Sequence, residues 1–217
     1  MKKKTIHIVL YGLIIIGICI LFINFFLNNT YKNDIGQTLK NKIYTTTNLK
    51  TNYSKISLSI WEHFPYISIN IDDLFLYDSI QSTKNDTVIY SVKASVNFNI
   101  IDLLVKKNII QQIYLEEGII NLNKNQHQFL NQKYKAKDAQ KNSNIKELLL
   151  VNIKFKFLDD KSKSNINCNI NECLIDIDKD IYDLKGKIFS KKVQIGKINY
   201  LQEIASSLNL KLKFNNN

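Results

Sequence analysis

Apolar and polar residues are arranged in three ways along the chain. From Ile6 to Leu27, IHIVLYGLIIIGICILFINFFL, 22 residues contain no acid and no lysine. As a helix rising about 1.5 Å per residue this segment extends roughly 33 Å, enough to cross a hydrocarbon core of about 30 Å, so it predicts a transmembrane helix. A cleaved signal peptide would have an apolar region of about 7 to 15 residues followed by small residues. Here Phe25, Phe26, Leu27 and Asn28 follow instead. A lipoprotein signal fails because bulky Ile18 precedes Cys19. Next, Tyr31, Ile35, Leu39 and Ile43 recur every four positions among polar neighbours. That spacing predicts one amphipathic helix, which the β-branched threonines at 45–47 are expected to end.

Beyond the threonines the period becomes two, the mark of strands with one dry face. Ile56, Leu58 and Ile60 alternate with serines, and Ile67, Ile69 and Ile71 alternate with Ser68, Asn70 and Asp72. Between these runs lies WEHFP, Trp61 to Pro65, with the only tryptophan and the only proline of the chain. Proline cannot donate to a sheet ladder, so this predicts a corner between two strands. From Val88 to Ile100 every even position is apolar, which predicts one strand with Val88, Tyr90, Val92, Ala94, Val96, Phe98 and Ile100 on one face. A helical turn is expected over Ile101 to Lys107. Strands follow over Ile109 to Glu116 and Ile119 to Leu122, with Gly118 between them suited to a bulge or tight turn.

Asn123 to Glu147 is poor in large apolar residues and predicts a loop. After it, Val151, Ile153, Phe155 and Phe157 alternate with polar residues, as do Ile166, Cys168 and Ile170. The parity then flips to Cys173, Ile175 and Ile177, which predicts a bulge near Asn171 and Glu172. Leu184, Gly186 and Ile188, then Val193 and Ile195, and finally Leu210, Leu212 and Phe214 mark further strands, with a short helix expected near Gln202 to Leu208. The pattern therefore predicts a mainly β exported part with one or two short helices. A second sheet, as in a sandwich, would cover the dry face, or a ligand would occupy it in a curved open sheet; periodicity does not choose between them.

Charge fixes orientation more than partner. Lys2, Lys3 and Lys4 precede the apolar segment, so the positive-inside rule places the N-terminus in the cytoplasm and the rest outside it. Two regions follow: 1–29, a lysine tail and anchor, and 30–217, one exported domain. The net charge of +11 comes from lysine alone, without arginine. Bidentate recognition of phosphate or guanine is what arginine supplies, so a nucleic-acid partner is not expected. Without the first three lysines the charge is +8 (27 lysines against 19 acids), spread along the chain. It supports mild attraction to anionic lipid headgroups.

Candidate chemistry is sparse. His7, His63 and His127 are isolated, and Glu62 and His63, being adjacent, point to opposite faces if extended. Asp176 to Asp180, DIDKD, opens like a calcium loop, but Ile181 stands where glycine is needed and Lys187 where glutamate is needed. It reads as a solvated strand edge or turn. With six glycines in all, no phosphate-cradling loop can be built. Cys168 and Cys173, five positions apart on one strand, fall on opposite faces unless a bulge intervenes, which disfavours a disulfide. No catalytic residue, metal site or cofactor is expected.

The order of these features resembles the N-terminal region of the AsmA family. The resemblance is carried by ISLSIWEHFPYISINIDDLFLYDS and YSVKASVNFNIIDLLVKKNIIQQIYLEEGIINLNKN, closest over residues 56–123 and looser from 5 to 200. Within it a D-LL, I-x-x-I-x-L-x-x-G-x-I-x-L block is supplied by Asp102, Leu103, Leu104, Ile110, Ile113, Leu115, Gly118, Ile120 and Leu122. The chain departs from the family in having NKNQHQF where an Asn-Trp-like pair is usual. Members are also several times longer, so this chain is expected to be a reduced member, a truncated reading frame or a fragment.

The resemblance implies a curved antiparallel sheet with an open apolar groove, as in TamB-like proteins. It implies an inner-membrane anchor, a periplasmic C-terminal region, and binding or transfer of phospholipid for outer-membrane homeostasis. The lipid-facing candidates are Val92, Val96, Phe98, Ile113, Leu122, Ile153 and Phe155. The alternatives are an anchored assembly factor, whose sheet edges pair with envelope proteins or with another copy, and a closed structural sandwich.

Overall fold

The computed structural model describes residues 32–59, 66–78, 87–99, 110–124, 145–178, 181–201 and 203–213. The apolar segment Ile6 to Leu27, the WEHFP corner, the expected helical turn at Ile101 to Lys107 and most of the Asn123 to Glu147 loop lie outside these residues. Among the described residues no helix is long and apolar enough to cross a membrane. They form one helix, α1 (Lys32–Thr47), and ten strands: β1 (Leu49–Asn52), β2 (Lys55–Ser59), β3 (Tyr66–Asp78), β4 (Thr87–Asn99), β5 (Ile110–Asn123), β6 (Ile145–Asp159), β7 (Ser164–Asp178), β8 (Ile181–Ile195), β9 (Ile198–Leu201) and β10 (Ile204–Lys213).

All ten strands belong to one curved sheet in the order β1-β3-β4-β5-β6-β7-β8-β10, with β2 paired to β3 and β9 to β8. Its end strands do not meet, so the sheet is open. On either side of WEHFP, β2 and β3 pair antiparallel, from Ser59 beside Ser68 to Lys55 beside Asp72. The expectation of an antiparallel sheet needs correction. β5 and β6 run parallel, with Ile110 beside Ile145 and Asn123 beside Leu158. A parallel pair requires a crossover of about a dozen residues or more, and residues 125–144 supply that length between the two strands.

α1 also differs in detail from its expected end. The threonines complete its last turn: the Thr47 hydroxyl donates to the Ile43 carbonyl at 2.8 Å and accepts from the Leu49 amide at 3.2 Å. The stop is Asn48, at φ 59°, whose N–H reaches the Tyr44 carbonyl at 2.8 Å. A left-handed residue just past the last turn is a common helix terminator. Leu39 and Ile43 pack on the core with Tyr53, and Lys40 Nζ lies 4.5 Å over the Tyr53 ring.

The helix expected near Gln202 to Leu208 is absent: from Ile204 the chain is strand, paired residue for residue with Ser190 back to Ile181. A ten-residue ladder against β8 outweighs local propensity. The strands expected over Leu184 to Ile188 and Val193 to Ile195 are one strand, β8, in which Lys191 is left over between the Cys168–Ser190 and Asn167–Lys192 pairs.

Candidate functional site

At one level across the sheet the strands stop pairing for one residue. The β3–β4 ladder omits Asp73 and Val92, the β4–β5 ladder Val92 and Glu117, the β5–β6 ladder Glu117 and Asn152, and the β6–β7 ladder Asn152 and Asn171. Asp73, Glu117 and Asn152 are left-handed, with φ of 50°, 52° and 53°. Opposite Asp73 the neighbouring strand is broken outright, into β1 and β2. Against β8, Asn171 is the extra residue of a bulge between Ile170–Ile188 and Glu172–Lys187. A left-handed or bulged residue bends its strand, so these positions in register make a crease running across the strands.

The crease has its own polar chemistry. The Ser91 hydroxyl accepts from the Glu116 amide at 3.1 Å and lies 2.8 Å from the Glu116 carbonyl and 2.7 Å from that of Lys93. Ser54 donates through its hydroxyl to Asp73 Oδ2 at 2.9 Å, while its amide reaches the Asp72 carbonyl at 3.0 Å. Tyr90 Oη lies 3.4 Å from Asp73 Oδ1; burial and the Asp73 carboxylate both push the Tyr90 phenol pKa up. Strands also approach closely beside the crease. A Cβ at Gly118 would overlap the Tyr90 carbonyl oxygen and sit 2.9 Å from Ser91 Cα. One at Gly186 would overlap the Glu172 carbonyl oxygen and sit 2.8 Å from Cys173 Cα.

Leaving out one residue per strand keeps the dry face continuous. Side chains of one face come two residues apart within a strand, but across the crease the spacing is three. One flanking row is Ile71, Ala94, Leu115, Leu150 and Cys173, and the other is Leu74, Ser91, Gly118, Ile153 and Ile170. All but Gly118 are buried. Beyond them lie Ile69, Val96, Ile113, Leu148, Ile175 and Leu184 on one side, and Leu76, Ile89, Ile120, Phe155 and Cys168 on the other.

The bulge expected near Asn171 is therefore present, and it recurs in register across the neighbouring strands. Two single-face expectations are corrected by it. Tyr90 does not share a face with Ala94, Val96 and Phe98: it turns outward against Phe75, ring centroids 4.6 Å apart. Likewise Val151 lies on the opposite face from Ile153, Phe155 and Phe157, paired with Glu116 and Glu172. Val88, left over between the Leu76–Ile89 and Tyr77–Thr87 pairs, joins the core.

The side that carries these rows is apolar and holds the core. Among the described elements only α1 packs over it, at β1 and β2, yet Ile153 near its centre is 1 % exposed while Lys154 and Lys156 on the opposite side are exposed. The side chains of these rows pack against one another as one cluster. This apolar face, with the crease along its middle, is the trough. Six of the seven lipid-facing candidates line it: Val96, Phe98, Ile113, Leu122 and Phe155 are half-buried, and Ile153 borders the crease. Val92 falls in the crease, outside the pairing of either neighbour.

Sequence reasoning missed Leu148, Ile120 and Ile69 as wall residues, although each lies five residues from Ile153, Leu115 or Leu74, the odd spacing that one three-residue step leaves in a strand.

The remaining expectations are placed as follows. Cys168 and Cys173 are free and buried, and the Asn171 bulge puts both in the trough; burial pushes both thiols up. DIDKD spans the end of β7, where Asp176 stands beside Asp183 and Lys185 bridges them at 3.9 and 3.0 Å. On the face opposite the trough, where Ser68, Ser95 and Asn97 are buried as well, a chain of side-chain hydrogen bonds crosses the parallel junction. Asn97 Nδ2 donates to Gln112 Oε1 at 3.2 Å, and Gln112 Nε2 donates to Glu147 Oε2 at 3.1 Å. Glu62 and His63 lie outside the described residues. Among the described residues no three or more His, Cys, Asp or Glu side chains cluster as metal ligands would.

Compared with protein-family models, curated proteins and solved structures, the chain matches none of them.

Proposed function

We propose that this protein is a membrane-anchored envelope factor whose trough binds phospholipid acyl chains and passes them on for outer-membrane homeostasis, in the manner of AsmA-type proteins. The observation that carries the reading is the continuous apolar face along the crease, which no second layer of the described elements covers beyond α1. The path of eight strands, at about 4.8 Å per neighbour, makes a trough of about 34 Å. One leaflet's acyl chains occupy about half of a 30 Å hydrocarbon core, or about 15 Å, so a lipid fits along it. Each methylene sheltered from water contributes about 0.8 kcal/mol, and no covalent chemistry is required.

Support for the anchor comes from the 22 apolar residues and the three lysines before them. Such an anchor holds the N-terminus in the cytoplasm, the trough in the periplasm and α1 next to the inner membrane. The family reading rests on the quoted motifs.

A purely structural reading draws on Ile153, whose near-complete burial is that of an ordinary core residue. The two readings separate by experiment. Residues 28–217, expressed without the apolar segment and washed free of membranes, are expected to retain phospholipid detectable by mass spectrometry, and Ile113→Lys is expected to lose it. A folded β protein carrying no lipid would leave only the structural reading.

A further inference from the structure

The two edges of the sheet are built differently. At one edge β1 and β2 are short and α1 packs against them. At the other, β10 offers ten residues with one side on β8 and, among the described residues, no strand on its other side. Of its trough-facing side chains, Ile204, Leu210 and Leu212 are 45 %, 47 % and 41 % exposed, while Leu208 is half-buried against the core. A long edge strand with exposed apolar residues is a template for another strand.

We infer that β10 pairs antiparallel with β10 of a second copy of this chain, about a two-fold axis through Leu208. The choice of occupant comes from the sequence of the strand. Residues opposite one another share a face, so in a two-fold pair of identical strands the axis must pass through a residue. Centring it on Leu208 pairs the strand over nearly its whole length. Ile204 then meets Leu212, Ser206 meets Leu210 and Ala205 meets Lys211. Glu203, just before β10, meets Lys213 at its end, so each copy gives one acid and one base to two opposite-charge pairs.

No like charges fall opposite one another. The axis stands perpendicular to the sheet, so the apolar faces of both copies lie on the same side and their troughs join end to end. Edge pairing does not depend on what occupies the trough, so it stands or falls separately from lipid binding.

The test is disulfide crosslinking of the full chain in mild detergent, with the unsubstituted chain as the background for Cys19, Cys168 and Cys173. Directly opposed residues have Cα atoms about 4.5 to 5.5 Å apart, within disulfide reach. Leu208→Cys is therefore expected to give a covalent dimer on mild oxidation. Leu212→Cys alone is expected to give none above background, because eight residues at about 3.4 Å separate the two copies of that position by about 27 Å. Mixing Leu212→Cys with Ile204→Cys restores the crosslink. Light scattering of the unsubstituted chain reads the same dimer without any substitution. A monomeric mass with no Leu208→Cys dimer overturns the inference, as does equal crosslinking of Leu208→Cys and Leu212→Cys, or a dimer whose crosslinks avoid β10.

Discussion

The Ser91 hydroxyl accepts the Glu116 amide N–H at 3.1 Å across the crease, taking the place of a backbone carbonyl where the β4–β5 ladder skips Val92 and Glu117. Ser91 is completely buried, so water cannot replace it. Ser91→Ala should cost about 1 to 3 kcal/mol, the penalty of an unsatisfied buried donor. Chemical denaturation checks it. A change within error would mean the crease does not need this hydroxyl.

Close strand approach at the crease predicts a second effect. A methyl at Gly118 or Gly186 meets backbone, not the yielding end of a side chain. Gly118→Ala and Gly186→Ala should each lose about 1 to 3 kcal/mol or more through overpacking, even though alanine lowers the entropy of the unfolded chain. Thermal unfolding of the two variants, compared with an exposed Ser207→Ala, measures this. Neutral glycine variants would show that the strands stand further apart.

The third prediction concerns pH. Asp159 Oδ2 holds Lys124 Nζ at 2.9 Å, and its Oδ1 accepts from the Lys161 and Ser162 amides at 3.0 and 3.3 Å. The Lys124 hydrogen bond, ahead of the Ser162 contacts, holds this carboxyl below its ordinary range despite opposing desolvation. A depressed folded pKa stabilises above the unfolded value of about 3.9 and is lost as pH falls through the folded one. Asp159→Asn should therefore be less stable than the parent by a constant amount at neutral pH, and the gap should close below about pH 4. A gap that stays flat into strong acid would refute the assignment.

Thiol chemistry supplies a fourth. Cys168 and Cys173 are buried on the trough side and burial raises both pKa values, so little of either is thiolate at neutral pH. Peptide mapping after alkylation should find both unmodified in the native protein and both modified once it is denatured. Rapid native labelling, or a Cys168–Cys173 disulfide, would contradict the placement.

Part of the trough was legible in the chain because apolar residues three apart mark the crossing of the crease in β3, β6 and β7. Ile170 and Cys173 showed it plainly, as polar Asn171 and Glu172 stand between them. The same step from Ser91 to Ala94 was hidden by Tyr90 and Val92, apolar residues that extend an apparently unbroken even-numbered run from Val88 to Ile100. Val151 hid the step from Leu150 to Ile153 in the same way. The parallel β5–β6 pair left no local signal, since a polar connection reads alike whether it turns back or crosses over. At β10, pairing with β8 decided strand over helix, and Ser206, Leu208, Leu210 and Leu212 carry the period that says so.

The central claim is that acyl chains occupy the creased apolar face. Site-specific photo-crosslinking in the full chain, within membranes, tests it most directly. Photoreactive phenylalanine analogues at Phe98 and Phe155 probe the trough, and analogues at Phe75 and Phe189 probe the outer face. Phospholipid adducts at Phe98 and Phe155 but not at Phe75 and Phe189 are the predicted result; no adduct at either trough position, or equal adducts on both faces, would contradict it.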